Sequence, residues 1–391
     1  MRTLVAALLL CAACRRGASR HHDAGHAPAS AVSAVPKLPR SPDGVAEMKR
    51  LDAEIKLAQI PETAMPLVLA RAGLTGRVED YQDALARSET WLKARPDNRD
   101  AIRTRIEVLT KVHRFADARA LLPKATMSDD LAVTLDEASG HLERSAPARE
   151  AAAKQFPNTT TLVEYAGSLA IQGETDAALV QMQKGAAEIH DNSPELITWV
   201  LFQWGRVYEL KGDFAQARDF FAEAHRRMPG YIEATAHLAQ AMMQTGDHAG
   251  ARKIVEAALT DQRHPELLGL AAQLGHRELL DEAKREWERY VAALPEAFSD
   301  HAARFYLTVD PARALLLARV NLANRDTSEA RALVAQAALA AGDPAAACEA
   351  ALPLATAKAP RAQRFIAWRA FSKCGRADDA DRVARDLGIT R

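Results

Sequence analysis

Cysteine and histidine are the side chains of this 391-residue chain whose chemistry could be covalent or metal-based, and there are four of the first and twelve of the second. Cys348 and Cys374 stand near the C-terminus. In an oxidising compartment two such thiols form a disulfide if their α-carbons come within about 7 Å. Cys11 and Cys14 bracket two alanines at the other end. His21, His22 and His26 are close enough to chelate a metal ion. No acidic cage or rigid scaffold fixes them, so the plainer reading is a solvated linker. No Gly-x-Ser-x-Gly elbow, Gly-rich phosphate loop or His-Glu-x-x-His pair occurs. No catalytic residue, cofactor site or small-molecule substrate is assigned, and an enzyme is not expected.

What positions these groups is a repeated helix pair. Leu201, Trp204, Gly205, Tyr208, Ala217, Phe221 and Pro229 form one frame, and the frame recurs 34 residues on, opening at Ile232 with Leu238, Ala239, Met242, Ala251 and Val255. Further frames open at Met65, Arg99, Thr159, His264, Ser328 and Arg361, with irregular pairs between. Apolar residues three, four and seven apart share one helical face. Small residues twelve apart mark where paired helices cross: Gly205/Ala217, Ala239/Ala251, Ala72/Ala84, Ala166/Ala178, Ala271/Ala283 and Ala335/Ala347. Gly-Asp at 212–213, 246–247 and 342–343 places a turn inside the pair. Pro96, Pro157, Pro229 and Pro295 end second helices. Strand-like alternation is nearly absent. With 51 basic and 51 acidic residues the formal charge is zero, which disfavours a nucleic-acid partner.

The N-terminus follows a different rule. Met1-Arg2 precedes an apolar run over 4–13, too short to span a bilayer and shaped like a secretory signal. Cys11-Ala12-Ala13-Cys14 resembles the bacterial lipobox, although Cys11 stands where Leu is usual. The resemblance implies cleavage before Cys14 and lipidation of that residue; an ordinary cleaved signal is the alternative. The expected organisation is a signal at 1–13, a disordered tether at 14–43, a capping helix at 44–64 and a repeat solenoid over 65–391.

The frames from about residue 65 onward are similar to those of bacterial tetratricopeptide-repeat proteins. The run Pro265-Glu266-Leu267-Leu268 through Trp287 resembles their later units. That resemblance implies an all-α, right-handed superhelix of antiparallel helix pairs acting as a non-enzymatic scaffold for a protein or peptide. With the signal, it implies the exported, membrane-anchored lipoprotein type of the bacterial envelope. The alternative is an accessory subunit assisting an envelope or cell-wall enzyme. The carboxylate-gripping subclass carries Lys and Asn at the fifth and ninth places of a first helix; here Phe202 and Arg206, or Arg103 and Glu107, stand there. Concave-face positions fall on Trp199, Phe202, Arg206 and Glu209 in one frame and on Gln240 and Met243 in the next. An aromatic pair beside an Arg suits an interface, while packing of Trp199 and Phe202 against a neighbouring unit is the other reading. Cys348 falls near the start of a second helix and Cys374 at the end of the following first helix. Antiparallel neighbours bring those two ends together, so a disulfide stapling the last unit is expected, against a buried Cys348 with a free Cys374.

Overall fold

The structure, a computed structural model, describes residues 35–125, 129–190 and 192–389. The proposed signal, Cys14 and most of the tether lie outside the described residues. Described residues form helices and no strand. The first seven helices are α1 (Gly44–Leu57), α2 (Pro61–Thr75), α3 (Val78–Ala94), α4 (Arg99–Lys111), α5 (Phe115–Leu121), α6 (Asp129–Ala138) and α7 (Leu142–Gln155). Then come α8 (Thr159–Ile171), α9 (Thr175–Ala187), α10 (Pro194–Lys211), α11 (Phe214–Arg227), α12 (Ile232–Gln244), α13 (His248–Asp261) and α14 (Pro265–Gln273). The last seven are α15 (Leu280–Ala293), α16 (Pro295–Tyr306), α17 (Pro311–Asn324), α18 (Ser328–Ala340), α19 (Pro344–Ala351), α20 (Arg361–Cys374) and α21 (Ala377–Leu387). Each packs on its neighbours in sequence, α8 on α9, α10 on α11 and α11 on α12. This is an all-α solenoid.

The frame residues do the structural work their spacing implies. The alanines of the six small-residue pairs are at most 1% exposed. A β-carbon on Gly205 would lie 2.5 Å from the Phe221 ring, so α10 and α11 cross too closely for any larger residue. α10 stops at Gly212, whose φ of 84° suits glycine, and Asp213 starts α11 by accepting from the Gln216 amide. α15 ends two residues before Pro295, which itself opens α16, where its missing N–H costs nothing. Behind these turns Trp204 stacks on Phe220 with centroids 4.8 Å apart, and both are fully buried.

The solenoid curls until its second turn rests on its first. The His113 Nδ1 donates to the Glu296 carbonyl 3.0 Å away, 183 residues along the chain. His264 Nε2 donates to the Gly76 carbonyl at 3.2 Å and Arg227 to the Pro39 carbonyl at 2.8 Å, each across 188 residues. Gly140 backs onto the Asp326 backbone and Gly173 onto Lys358. The near-constant offset shows one continuous seam rather than scattered contacts. His113 sits at φ 57°, the place in its turn that Gly212 and Gly246 occupy in theirs. The unfavourable backbone is offset because its carbonyl also accepts from Asn324 Nδ2 at 3.0 Å.

At Gly44, the first residue of α1, an added β-carbon would overlap the Arg227 carbonyl across this seam. Local helix propensity alone makes Gly44→Ala stabilising. The seam reverses the sign: the expected result is a loss of about 1–3 kcal/mol, the usual cost of overpacking. Chemical denaturation of the two proteins measures it, and an unchanged or raised midpoint would count against the stacked turns.

Candidate functional site

First helices of successive pairs carry charged side chains that meet one another along the inner face. Arg206 on α10 pairs with Glu209 one turn on and reaches Glu329 at the start of α18, 2.7 Å away. Glu209 contacts His237 on α12 at 3.2 Å. From the same helix Gln240 donates to Glu266 on α14 at 3.4 Å. Glu266 lies 3.7 Å from His301 on α16, which adjoins Asp300. Asp300 receives the Arg325 guanidinium at 2.6 Å. Arg325 caps α17 one short loop before Glu329, so the chain of charges returns to its start.

These groups are wetted yet enclosed. Side-chain exposure runs from 8% for Asp300 to 40% for His301, and desolvation is the largest influence on Arg206, Glu209, Glu266, Asp300, His301 and Glu329. Burial would raise Glu209, but His237 and Arg206 hold its carboxyl far below the usual range. Burial is likewise outweighed at Asp300 by His301 and Arg325, and at Glu329 by Arg206. At His301 burial opposes the imidazolium, yet Asp300 and Glu266 lift it to about 9. The ring of His301 also stacks on Trp287, centroids 6.3 Å apart. Such pairs seldom out-stabilise well-packed apolar residues. A solenoid core does not need them, and their mutual compensation marks a surface that holds fixed charges in an interior of reduced dielectric.

Arg206, Glu209 and Gln240 therefore lie within the circuit. Phe202 does not offer its ring to a partner: at 5% exposure it is closed in by Phe221, Tyr231 and His237. Trp199 is half-buried against the same core, and Met243 packs beside Leu267 and Leu270. The frame reading missed His237, Glu266, Asp300, His301, Arg325 and Glu329. Glu329 was open to it, being the second residue of the Ser328 frame; Asp300 and His301 fall in an irregular pair that has no register. Cys348 and Cys374 come together with α-carbons 6.2 Å apart and sulfurs at bonding distance. Among the described residues no cluster suits a metal ion and no helix is long and apolar enough to cross a membrane.

A tetratricopeptide-repeat family model matches residues 210–274. This segment holds α11 to α14 and so carries His237, Gln240 and Glu266 of the circuit. Over 59 residues the chain is 39% identical to the probable biofilm formation methyltransferase WspC of Pseudomonas aeruginosa, covering 15% of this chain and only 14% of that protein. Among solved structures it is similar to a chain of the APC/C hetero-tetramer Cut9-Hcn1, with 13% identity and a TM-score of 0.42 over 88% of this chain and 60% of that one. A tetratricopeptide repeat protein from Parabacteroides merdae matches with 15% identity and a TM-score of 0.38, over 66% of this chain and 98% of that one.

Two outcomes follow for solution work. His264 accepts from the Glu266 amide on Nδ1 and donates from Nε2, which fixes it neutral. Burial pulls it and His113 down to about 4. Their unfolded forms gain a proton near pH 6.5, so their contribution is present above that value and is lost as pH falls towards 4. His301 is raised instead, so its contribution is complete below its unfolded value and disappears as pH rises through about 9. Stability measured against pH should fall on both sides, with His301→Gln flattening the alkaline arm and His264→Gln the acid arm; unaltered arms would refute these assignments. Separately, thiol titration of the mature protein, denatured without reductant, should find neither Cys348 nor Cys374 reactive, whereas two reactive thiols from these positions would exclude the staple.

Proposed function

We propose that this protein is a non-enzymatic scaffold that binds a partner protein or peptide along the inner face of its solenoid. The carrying observation is the run of paired inner-face groups: Arg206 with Glu209 and Glu329, His237 with Glu209, Gln240 and His301 with Glu266, and Arg325 with Asp300. Its members are held by several helices, retain contact with water, and present paired donors and acceptors at fixed spacing. A polar segment entering this face exchanges one set of charge-assisted hydrogen bonds for another, which gives specificity more than raw affinity. Nothing in the arrangement brings a nucleophile to a general base, so recognition is the chemistry it supports.

The proposed location rests on the sequence alone. The short apolar run, the small residues before Cys14 and the Ala-, Ser- and Pro-containing stretch after it support an exported lipoprotein with its scaffold held away from the membrane. An acyl-modified Cys14 requires no membrane-spanning helix.

Affinity capture from solubilised membranes tests both parts. Wild type should retain a partner that the Glu209→Gln, Glu329→Gln double variant releases, with similar thermal unfolding of the two proteins. Retention of the same partner by both would place binding elsewhere, and retention of none by wild type would remove the scaffold reading. In the same preparation Cys14→Ala should move the protein to the soluble fraction; continued membrane association would disprove the anchor.

A further inference from the structure

The circuit has a counterpart that the fold leaves incomplete. α10 ends on Gly212 and α20 on Gly375, both in left-handed conformation, and counting back from these caps aligns Phe202 with Phe365 and Arg206 with Arg369. In α10 the phenylalanine is covered by Tyr231 and His237 from the next unit. The arginine there is held by Glu209 and Glu329. Phe365 and Trp368 are half-buried, touching each other at 5.2 Å. Arg369 has no ion pair or hydrogen bond among the described residues, and burial alone acts on its guanidinium, pulling it down.

Charge around this face is one-sided. Between Glu349 and Asp378 the chain contains Lys358, Arg361, Arg364, Arg369, Lys373 and Arg376 and no acidic residue, in a protein whose formal charge is zero. Of these, Arg376 is paired, with Asp379, while Arg364 keeps a buried Nε without a partner. On other inner helices Arg103 is matched to Asp130 and Arg206 to Glu329. An aromatic pair flanked by unpaired arginines is the composition that dominates binding energy at protein interfaces. The Cys348–Cys374 approach fixes the end of this helix against α19, so the face is held rigid.

We propose that the α20 face of Phe365, Trp368 and Arg369 docks an acidic segment of a partner protein, which supplies the ring cover and the carboxylate that α12 and Glu329 supply to α10. The proposal rests on the scaffold reading above and adds a second contact site at the end of the solenoid. A carboxylate meets Arg369 as Glu329 meets Arg206, and an apolar side chain beside it covers Phe365. The peptide class is favoured over an anionic bilayer because the internal precedent is a helix and a single carboxylate, not a plane of phosphates.

The test uses the full chain and a soluble glutamate–tyrosine copolymer as probe, followed by fluorescence anisotropy, with phosphatidylglycerol vesicles in a parallel sedimentation arm. Lys124→Glu, a charge reversal on a distant turn, controls for net charge. Wild type and Lys124→Glu should bind the copolymer alike, while Arg369→Glu and Phe365→Ala each weaken it by about tenfold or more, the effect of losing an interface anchor. Arg369→Gln is the second variant should the reversal disturb folding, and thermal unfolding of each protein verifies the fold. Equal weakening by Lys124→Glu and Arg369→Glu, or sedimentation with vesicles in place of copolymer binding, would overturn the proposal. Membrane capture distinguishes the two sites: a partner lost by the Glu209, Glu329 variant but kept by Arg369→Glu defeats the α20 proposal alone.

Discussion

Contact between successive turns of the superhelix is the constraint on which the rest depends. Helix pairs of this kind touch only their neighbours, so each unit adds a small rotation and the coil is free to open or close. Here the offset of 183 to 188 residues between touching loops brings the edge of one turn against the edge of the next. Backbone carbonyls at Gly76 and Glu296 accept imidazole donors at this seam. Glycine at 44 and 140 is demanded there by space, since a β-carbon at either would overlap the facing backbone. The concave face is narrowed as a result.

Narrowing explains the electrostatics. A charge in an open groove is screened by water and salt within about 10 Å. Behind stacked turns the same charges interact more strongly, which is why Asp300 and Glu266 can hold His301 protonated against its desolvation. The circuit is also why Phe202 is covered: His237 lies over its ring while reaching Glu209. At α20 the equivalent Phe365 is only half-buried and Arg369 has no ion pair among the described residues, in contrast with Phe202 and Arg206.

Much of the helix-pair architecture can be read from single residues. Gly205 with Ala217, Gly212 with Asp213, and Pro295 between two helices each act through contacts within one pair, and spacing along the chain reports them. The seam cannot be read this way, because it joins residues such as His113 and Glu296 whose proximity depends on rotation accumulated over several units. One local signal existed: His113 occupies the turn place held by glycine at Gly212, Gly246 and Gly342, and a residue accepting that backbone must have a compensating contact. The inner-face residues Arg206, Glu209 and Gln240 were legible from their frame, whereas Asp300 and His301 were not, because they fall in an irregular pair that has no register, and Glu329 meets Arg206 only across 123 residues of the coil.

Stacked turns are the central claim, and a distance across the seam tests it most directly. Spin labels placed at Arg114 and Ala323, beside the His113–Asn324 contact, report that distance by pulsed electron resonance once the other thiols are blocked. Closed turns predict a single short and narrow distribution. A long or broad distribution would show an open solenoid and contradict both the narrowed concave face and the circuit built along it.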